Sequence, residues 1–200
     1  LKPYPEQLAG ASALSNGFLA EMATGEGKTL AVALAAVQAG WQGRPCHVIT
    51  ANDYLAQRDC EWLTPLYAYC GVSVAYVTGE SNPDERRTSD AADVTYLTSK
   101  ELLADFLRDR LRQGRVHQPS LLAARILLEG NPGTTESTAG VVTRGLYSAF
   151  VDEADAVLVD EAVTPLIISQ KYKDEAFAEC SRIAGIIARS EEHTSELQSQ

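Results

Sequence analysis

Two hundred residues suit one domain or slightly more, and an apolar share of 45% is enough to bury a core. A net charge of −10 argues against a general nucleic-acid binder, whose footprint is a basic patch. No apolar run approaches the roughly 18 residues of a spanning helix, and no signal peptide is visible. Cys46, Cys60, Cys70 and Cys180 form no C-x-x-C pair, and His47, His117 and His193 complete no metal spacing, so neither a disulfide framework nor a zinc site is expected. The chain starts at Leu1 rather than methionine, so its N-terminus is expected to be incomplete.

Lys2-Pro-Tyr-Pro-Glu-Gln7 is a proline-stiffened entry to a short helix over 8–14, closed by a turn at Ser15-Asn16-Gly17. The apolar run Phe18 to Met22 is expected to be a buried strand. Thr24-Gly25-Glu26-Gly27 is a tight glycine loop, and Lys28-Thr29 opens a helix rich in Ala and Leu. Strand, glycine loop and helix together make a phosphate-binding arrangement. Gly25 and Gly27 allow positive φ and turn backbone N–H groups inward, into an anion nest at the helix N-terminus. Lys28 can reach the β- and γ-phosphates, and the Thr29 hydroxyl can ligate Mg²⁺. The match to G-x-x-x-x-G-K-[ST] is incomplete, because Met22 holds the first glycine position.

Beyond the breaks at Gly40 and Gly43, Cys46 to Thr50 reads as a strand. A helix follows to about Cys70, capped by Asn52 or Asp53 and ended by Gly71. Val72 to Thr78 and Asp93 to Leu97 read as further strands, separated by a polar segment with a turn signal at Asn82-Pro83. Thr98-Ser99 can cap a helix over 100–112. Residues 119–129 read as an amphipathic helix and 130–140 as a surface loop. Leu146 to Val151 is an apolar strand that runs into Asp152-Glu153-Ala154-Asp155. Asp152 is placed to hold Mg²⁺ and Glu153 to orient or deprotonate an attacking water. A second acidic pair, Asp160-Glu161, reads as structural or interface residues. Residues 164–169 are expected to be extended and 171–188 helical.

Strands alternating with helices predict an α/β fold: a parallel sheet sandwiched between helices, with nucleotide at the carboxyl ends of its strands. The strand ending at Asp152 is expected beside the phosphate-loop strand. Arg189-Ser-Glu-Glu-His-Thr-Ser-Glu-Leu-Gln-Ser199 looks like translated sequencing-adapter oligonucleotide, so 189–200 is read as a non-native tail.

Five stretches together resemble SecA, the ATPase that drives preproteins through the bacterial Sec translocon. They are Glu21-Met-Ala-Thr-Gly-Glu-Gly-Lys-Thr29, Val48-Ile-Thr-Ala-Asn-Asp-Tyr-Leu-Ala-Gln-Arg-Asp59, Asp105-Phe-Leu-Arg-Asp109, Phe150-Val-Asp-Glu-Ala-Asp155 and Val159-Asp-Glu-Ala-Val-Thr-Pro-Leu-Ile-Ile-Ser169. The resemblance covers most of 1–170, and Val163 stands where the family usually has arginine. It implies a RecA-like P-loop NTPase domain over 1–170 and the start of a preprotein cross-linking domain over 171–188. It implies ATP and Mg as cofactors. Gln7 would read adenine, Thr24, Gly25, Glu26, Gly27, Lys28 and Thr29 would bind phosphates, and Asp152 and Glu153 would be the metal and water-activating carboxylates. Arg58 lies in a family motif near the cleft, without an assigned role. The partners implied are a preprotein, a SecYEG-type translocon and an anionic membrane surface at the inner face of the bacterial plasma membrane, with homodimerisation possible. Two other functions fit some of the same residues: a DEAD-box-like nucleic-acid helicase and a non-catalytic nucleotide-dependent interaction module.

Overall fold

The computed structural model describes residues 2–113 and 141–161, all within one structural unit, Leu1–Leu166. Helices α1 (Pro5–Ser15), α2 (Lys28–Gly40), α3 (Asp53–Tyr69), α4 (Pro83–Asp90) and α5 (Ser99–Gln113) alternate with strands β1 (Cys46–Thr50), β2 (Val74–Tyr76), β3 (Val94–Thr98) and β4 (Ser148–Val151). The strands form one parallel sheet in the order β2-β3-β1-β4. This is the α/β architecture of a RecA-like domain. The expected segments at 119–129, 130–140, 164–169, 171–188 and 189–200 lie outside the described residues.

Burial explains which strands sit in the middle. Every residue of β3 is buried, as are four of the five in β1, whereas β2 and β4 are only partly covered. A parallel strand covered by helices on both faces needs such continuous apolar or pairable side chains. Polar members of the interior are matched: the buried hydroxyls of Tyr67 and Tyr96 are 2.8 Å apart, and His47 Nε2 lies 3.1 Å from Asp90 Oδ1. α2 packs its alanines, several with no exposed surface, against the sheet and α1.

The chain leaves β1 toward β2 on one side and later returns to β4 on the other. β1 and β4 therefore flank a topological switch point, the place where open α/β sheets bind ligands at the carboxyl ends of their strands. Cys46 is in register with Ser148 and Ile49 with Val151, and the Asp152 N–H extends the ladder to the Ile49 carbonyl at 2.9 Å.

Three expectations are corrected. Phe18 to Met22 is not a strand: Phe18 is 69% and Leu19 86% exposed, and neither strand edge in the described sheet holds this segment. β4 consequently pairs with β1 and not with a phosphate-loop strand. The polar stretch after β2 is a helix, α4, rather than an irregular segment. Asn82 caps it by accepting from Asp84 N and Glu85 N, Pro83 opens its first turn, and Glu85 reaches back to Asn82 N.

Candidate functional site

The loop before α2 owes its shape to two glycines. Gly25 has φ 91° and Gly27 φ 80°, left-handed values that a side chain disfavours. Gly27 is the N-cap of α2, and its carbonyl accepts from Leu30 N at 3.0 Å. The N–H groups of Gly25, Gly27, Lys28 and Thr29 find no acceptor among the described residues. Thr24, Gly25, Glu26 and Lys28 are exposed, and Thr29 is half-buried. A cluster of free donors at the head of a 13-residue helix is an anion-binding geometry.

Gln7 reaches this loop from α1. It is buried; its Nε2 donates to Glu26 O at 3.0 Å and its Oε1 accepts from Tyr4 N at 3.0 Å. One amide hydrogen and one lone pair remain, the donor–acceptor pair that an adenine edge offers partners for. Gln7 thus also braces the phosphate loop, a role its sequence position did not reveal.

Asp152 follows directly on β4. Its Oδ1 accepts from Glu153 N at 3.0 Å. Glu153 is the one non-glycine with positive φ among the described residues, at 56°, and its side chain is exposed. Such strain at a strand end re-aims a side chain and persists only where its surroundings hold it. The Asp152 carboxyl is pushed above the usual carboxylate range, first by burial, then by the neighbouring Glu153 charge; Lys28 opposes the shift. Lys28 is therefore near enough for its charge to act on Asp152.

A third group joins them from α3. Asp59 is buried and its charge adds to the upward push on Asp152. Arg58 donates to it, with Nη2 2.6 Å from Asp59 Oδ1. Asp59 stood in the sequence only as the end of the block that begins at Val48; its signal there was the motif, not its chemistry. Glu161 pairs with Lys100 at 3.1 Å, a structural contact as its sequence position suggested, while Asp160 is exposed.

The donors suit a small hard cation. Asp152 and the Thr29 hydroxyl offer oxygen, and no group of three His, Cys, Asp or Glu side chains could enclose a metal among the described residues. Mg²⁺ is bound in that manner, by one or two protein oxygens plus substrate phosphates and water. No described helix is long and apolar enough to cross a membrane.

Comparison with known proteins agrees with this geometry. A family model for the SecA DEAD-like domain matches residues 1–198. The chain is 54% identical over 184 residues to protein translocase subunit SecA 2 of Chlorobium chlorochromatii, covering 92% of this chain and 27% of that protein. It is 52% identical to protein translocase subunit SecA 2 of Magnetococcus marinus over 86% of this chain and 26% of that protein. Protein translocase subunit SecA of a Wolbachia from Brugia malayi is 41% identical over 84% of this chain and 17% of its own length. The chain spans about a quarter or less of these curated relatives. Its DEAD-like segment is literal, Asp152-Glu153-Ala154-Asp155, and with a family model over nearly its whole length the chain belongs to the SecA family, as a SecA DEAD-like domain.

Proposed function

We propose that this chain is the ATP-binding half of a protein-translocating motor. The observation that carries the proposal is the head of α2, where the N–H groups of Gly25, Gly27, Lys28 and Thr29 have no acceptor among the described residues and the Lys28 charge reaches Asp152. The loop 24–29 cradles the phosphates, and Lys28 neutralises the β- and γ-oxygens. Gln7 uses its remaining donor and acceptor on the adenine edge. Thr29 and Asp152 hold magnesium, which supplies charge neutralisation to the triphosphate when bound. Glu153, exposed and re-aimed by its positive φ, orients a water and takes its proton.

In the full-length protein this cleft is closed by a second RecA-like domain, and the work done is preprotein export. Its partners there are a SecYEG-type translocon and the anionic inner face of the plasma membrane. A helicase needs cationic and backbone-reading groups at the carboxyl end of the strand that follows the phosphate-loop helix. After β1 this chain instead presents Asn52, Asp53 and Tyr54, and its net charge is −10. That observation favours a polypeptide over a nucleic acid as the moved substrate.

Fluorescent ATP analogue titrated into the chain tests the cleft. Lys28→Ala should weaken binding at least about tenfold, the loss of one charge-assisted contact or more. Unchanged affinity would remove the basis of the proposal. RNA should leave hydrolysis by the full-length protein unaltered, whereas preprotein should stimulate it.

A further inference from the structure

α3 buries one side, with Ala56, Asp59, Cys60, Leu63 and Tyr67. Its other side is not the charged face that an amphipathic helix normally gives to water. It carries Tyr54, Arg58, Trp62, Pro65 and Tyr69, all exposed. The rings of Tyr54, Trp62 and Tyr69 are 71%, 64% and 91% exposed. At 100° per residue these positions fall within about 80° of arc, along about 22 Å of helix.

Tyr, Trp and Arg are the residue types that anchor interfaces, and Trp62 sits at the middle of the stripe. Its indole N–H makes no hydrogen bond among the described residues, whereas that of Trp41 donates to the Cys70 carbonyl at 2.9 Å. Pro65, inside the helix, has no N–H to give to the Glu61 carbonyl. A bare donor thus adjoins an acceptor that has lost its helical partner. Arg58 is already held by Asp59, with Nη2 2.6 Å from Oδ1, so ordering it on association costs little entropy.

The stripe is complementary to itself when reversed. Against a second copy running the opposite way, Tyr54 meets Tyr69, Arg58 meets Pro65 and Glu61 meets Trp62, and each pair occurs twice about a two-fold axis. A parallel pairing would instead set Arg58 on Arg58 and Glu61 on Glu61, like charges in contact. The area suffices as well. At about 150–250 Å² per aromatic side chain, rings this exposed present roughly 350–550 Å² on each copy. Arg58, Glu61 and Pro65 carry the pair of copies past the roughly 1,000 Å² that a specific interface needs.

We infer that the outer face of α3 is a homodimer interface, on which Trp62 of each copy anchors against the Glu61 turn of an antiparallel α3 in the second copy. No phosphate-loop residue takes part, so the interface stands apart from the nucleotide reading.

Sedimentation of the chain over a micromolar concentration series tests it. The wild type should pass from monomer to dimer, and Trp62→Glu should raise the dissociation constant at least about thirtyfold, the scale of one anchor residue. Each copy carries a net charge of −10, so two copies repel at long range. Added salt should therefore tighten this dimer, where a contact built on ion pairs would loosen. In Trp41→Phe, Trp62 is the only tryptophan of the chain, and its emission should move to the blue as the dimer forms. Photoreactive benzoylphenylalanine in place of Tyr54 should cross-link to the tryptic fragment 59–86 of the other copy, which contains Tyr69. Should Trp62→Glu not fold, the emission and the cross-link decide, since both keep Trp62 in place. A chain that stays monomeric throughout, a dimer untouched by Trp62→Glu, or a cross-link joining position 54 to position 54 overturns the inference. So does a full-length monomer in which Trp62 is already shielded from hydroxyl-radical labelling, because that assigns the face to the protein's own chain.

Discussion

Gly27 shows how much a single position carries. A Cβ built there would overlap Gln7 Nε2, and the backbone has φ 80°. Gln7 has little freedom to yield, being buried and tied to both Tyr4 N and Glu26 O. Gly27→Ala therefore pays a left-handed backbone penalty of ~1 kcal/mol and strands a buried amide, for about 1–3 kcal/mol more. Gly25 has φ 91° but open space around it, so Gly25→Ala carries only the backbone cost. Urea denaturation should rank Gly27→Ala well below Gly25→Ala in stability; equal losses would show that Gln7 does not brace the loop. Asp152 makes a prediction of opposite sign. Its folded carboxyl holds its proton above the ordinary value of 3.8, so the native state binds more protons than the unfolded chain between the two values. Stability then falls as pH rises through that window, and the ionised group costs stability at neutral pH. Metal- and nucleotide-free Asp152→Asn should melt above wild type at pH 7. The gap should close as pH drops through the elevated value and vanish below the ordinary one. A lower melting temperature at pH 7 would mean that the carboxylate is stabilised in place, which contradicts a site held open for a cation.

At the scale of elements, the parts with local signals were legible. β1 runs over Cys46–Thr50 as its apolar content predicts, and α3 begins after Asn52 and ends before Gly71, which has φ 70°. Phe18 to Met22 has equally strong apolar content but no ladder, because strand formation depends on a partner edge that a local reading does not supply. α4 was missed for the reverse reason. Its composition is polar throughout, yet Asn82, Pro83 and Glu85 spelled a helix start that outweighs composition. The short polar helix is kept in place by Arg86, which no sequence pattern marks as buried. Arg86 donates to the Thr78 and Ser81 carbonyls, to both oxygens of Asp105 and to Glu101, so it joins α4 to α5 and to the turn after β2. Burial raises the proton affinity of Asp105, and Arg86 opposes that. Arg86→Met takes this donor from Glu101 and the Ser81 carbonyl and leaves the buried Asp105 with only the half-exposed Arg108. Breaking one side of a buried pair typically costs about 3–5 kcal/mol, which is ~10 °C in a domain of this size. A thermal scan showing less than a few degrees would mean that water replaces the arginine. Asp109, from the same family stretch, acts in kind by accepting from the N–H groups of Val142 and Thr143.

The whole molecule raises the question of how much of a motor this chain contains. Phosphoryl transfer depends on cations around the transferring group, and an arginine supplied from outside the domain contributes about 10³–10⁵ in rate. Among the described residues, the cations whose charge reaches Asp152 are Lys28 on the loop and Arg58, which is engaged by Asp59. Neither is free to enter late, as charge develops. The curated relatives are about four times longer or more than the part this chain matches, which leaves ample length for a second domain to close on the first. The 200-residue chain by itself should therefore bind ATP and turn it over at least ~10³-fold more slowly than a full-length SecA carrying the same cleft residues. Phosphate release under single-turnover conditions is the measurement, with binding saturated so that affinity does not enter. Glu153→Gln in the full-length protein should then trap ATP without hydrolysis, since it leaves the phosphate loop and Asp152 untouched and removes only the group that takes the water's proton. If the isolated chain matched the full-length rate, catalysis would be complete within one RecA-like unit. The second domain would then serve force generation alone, and the role of this chain as half of a cleft would be wrong.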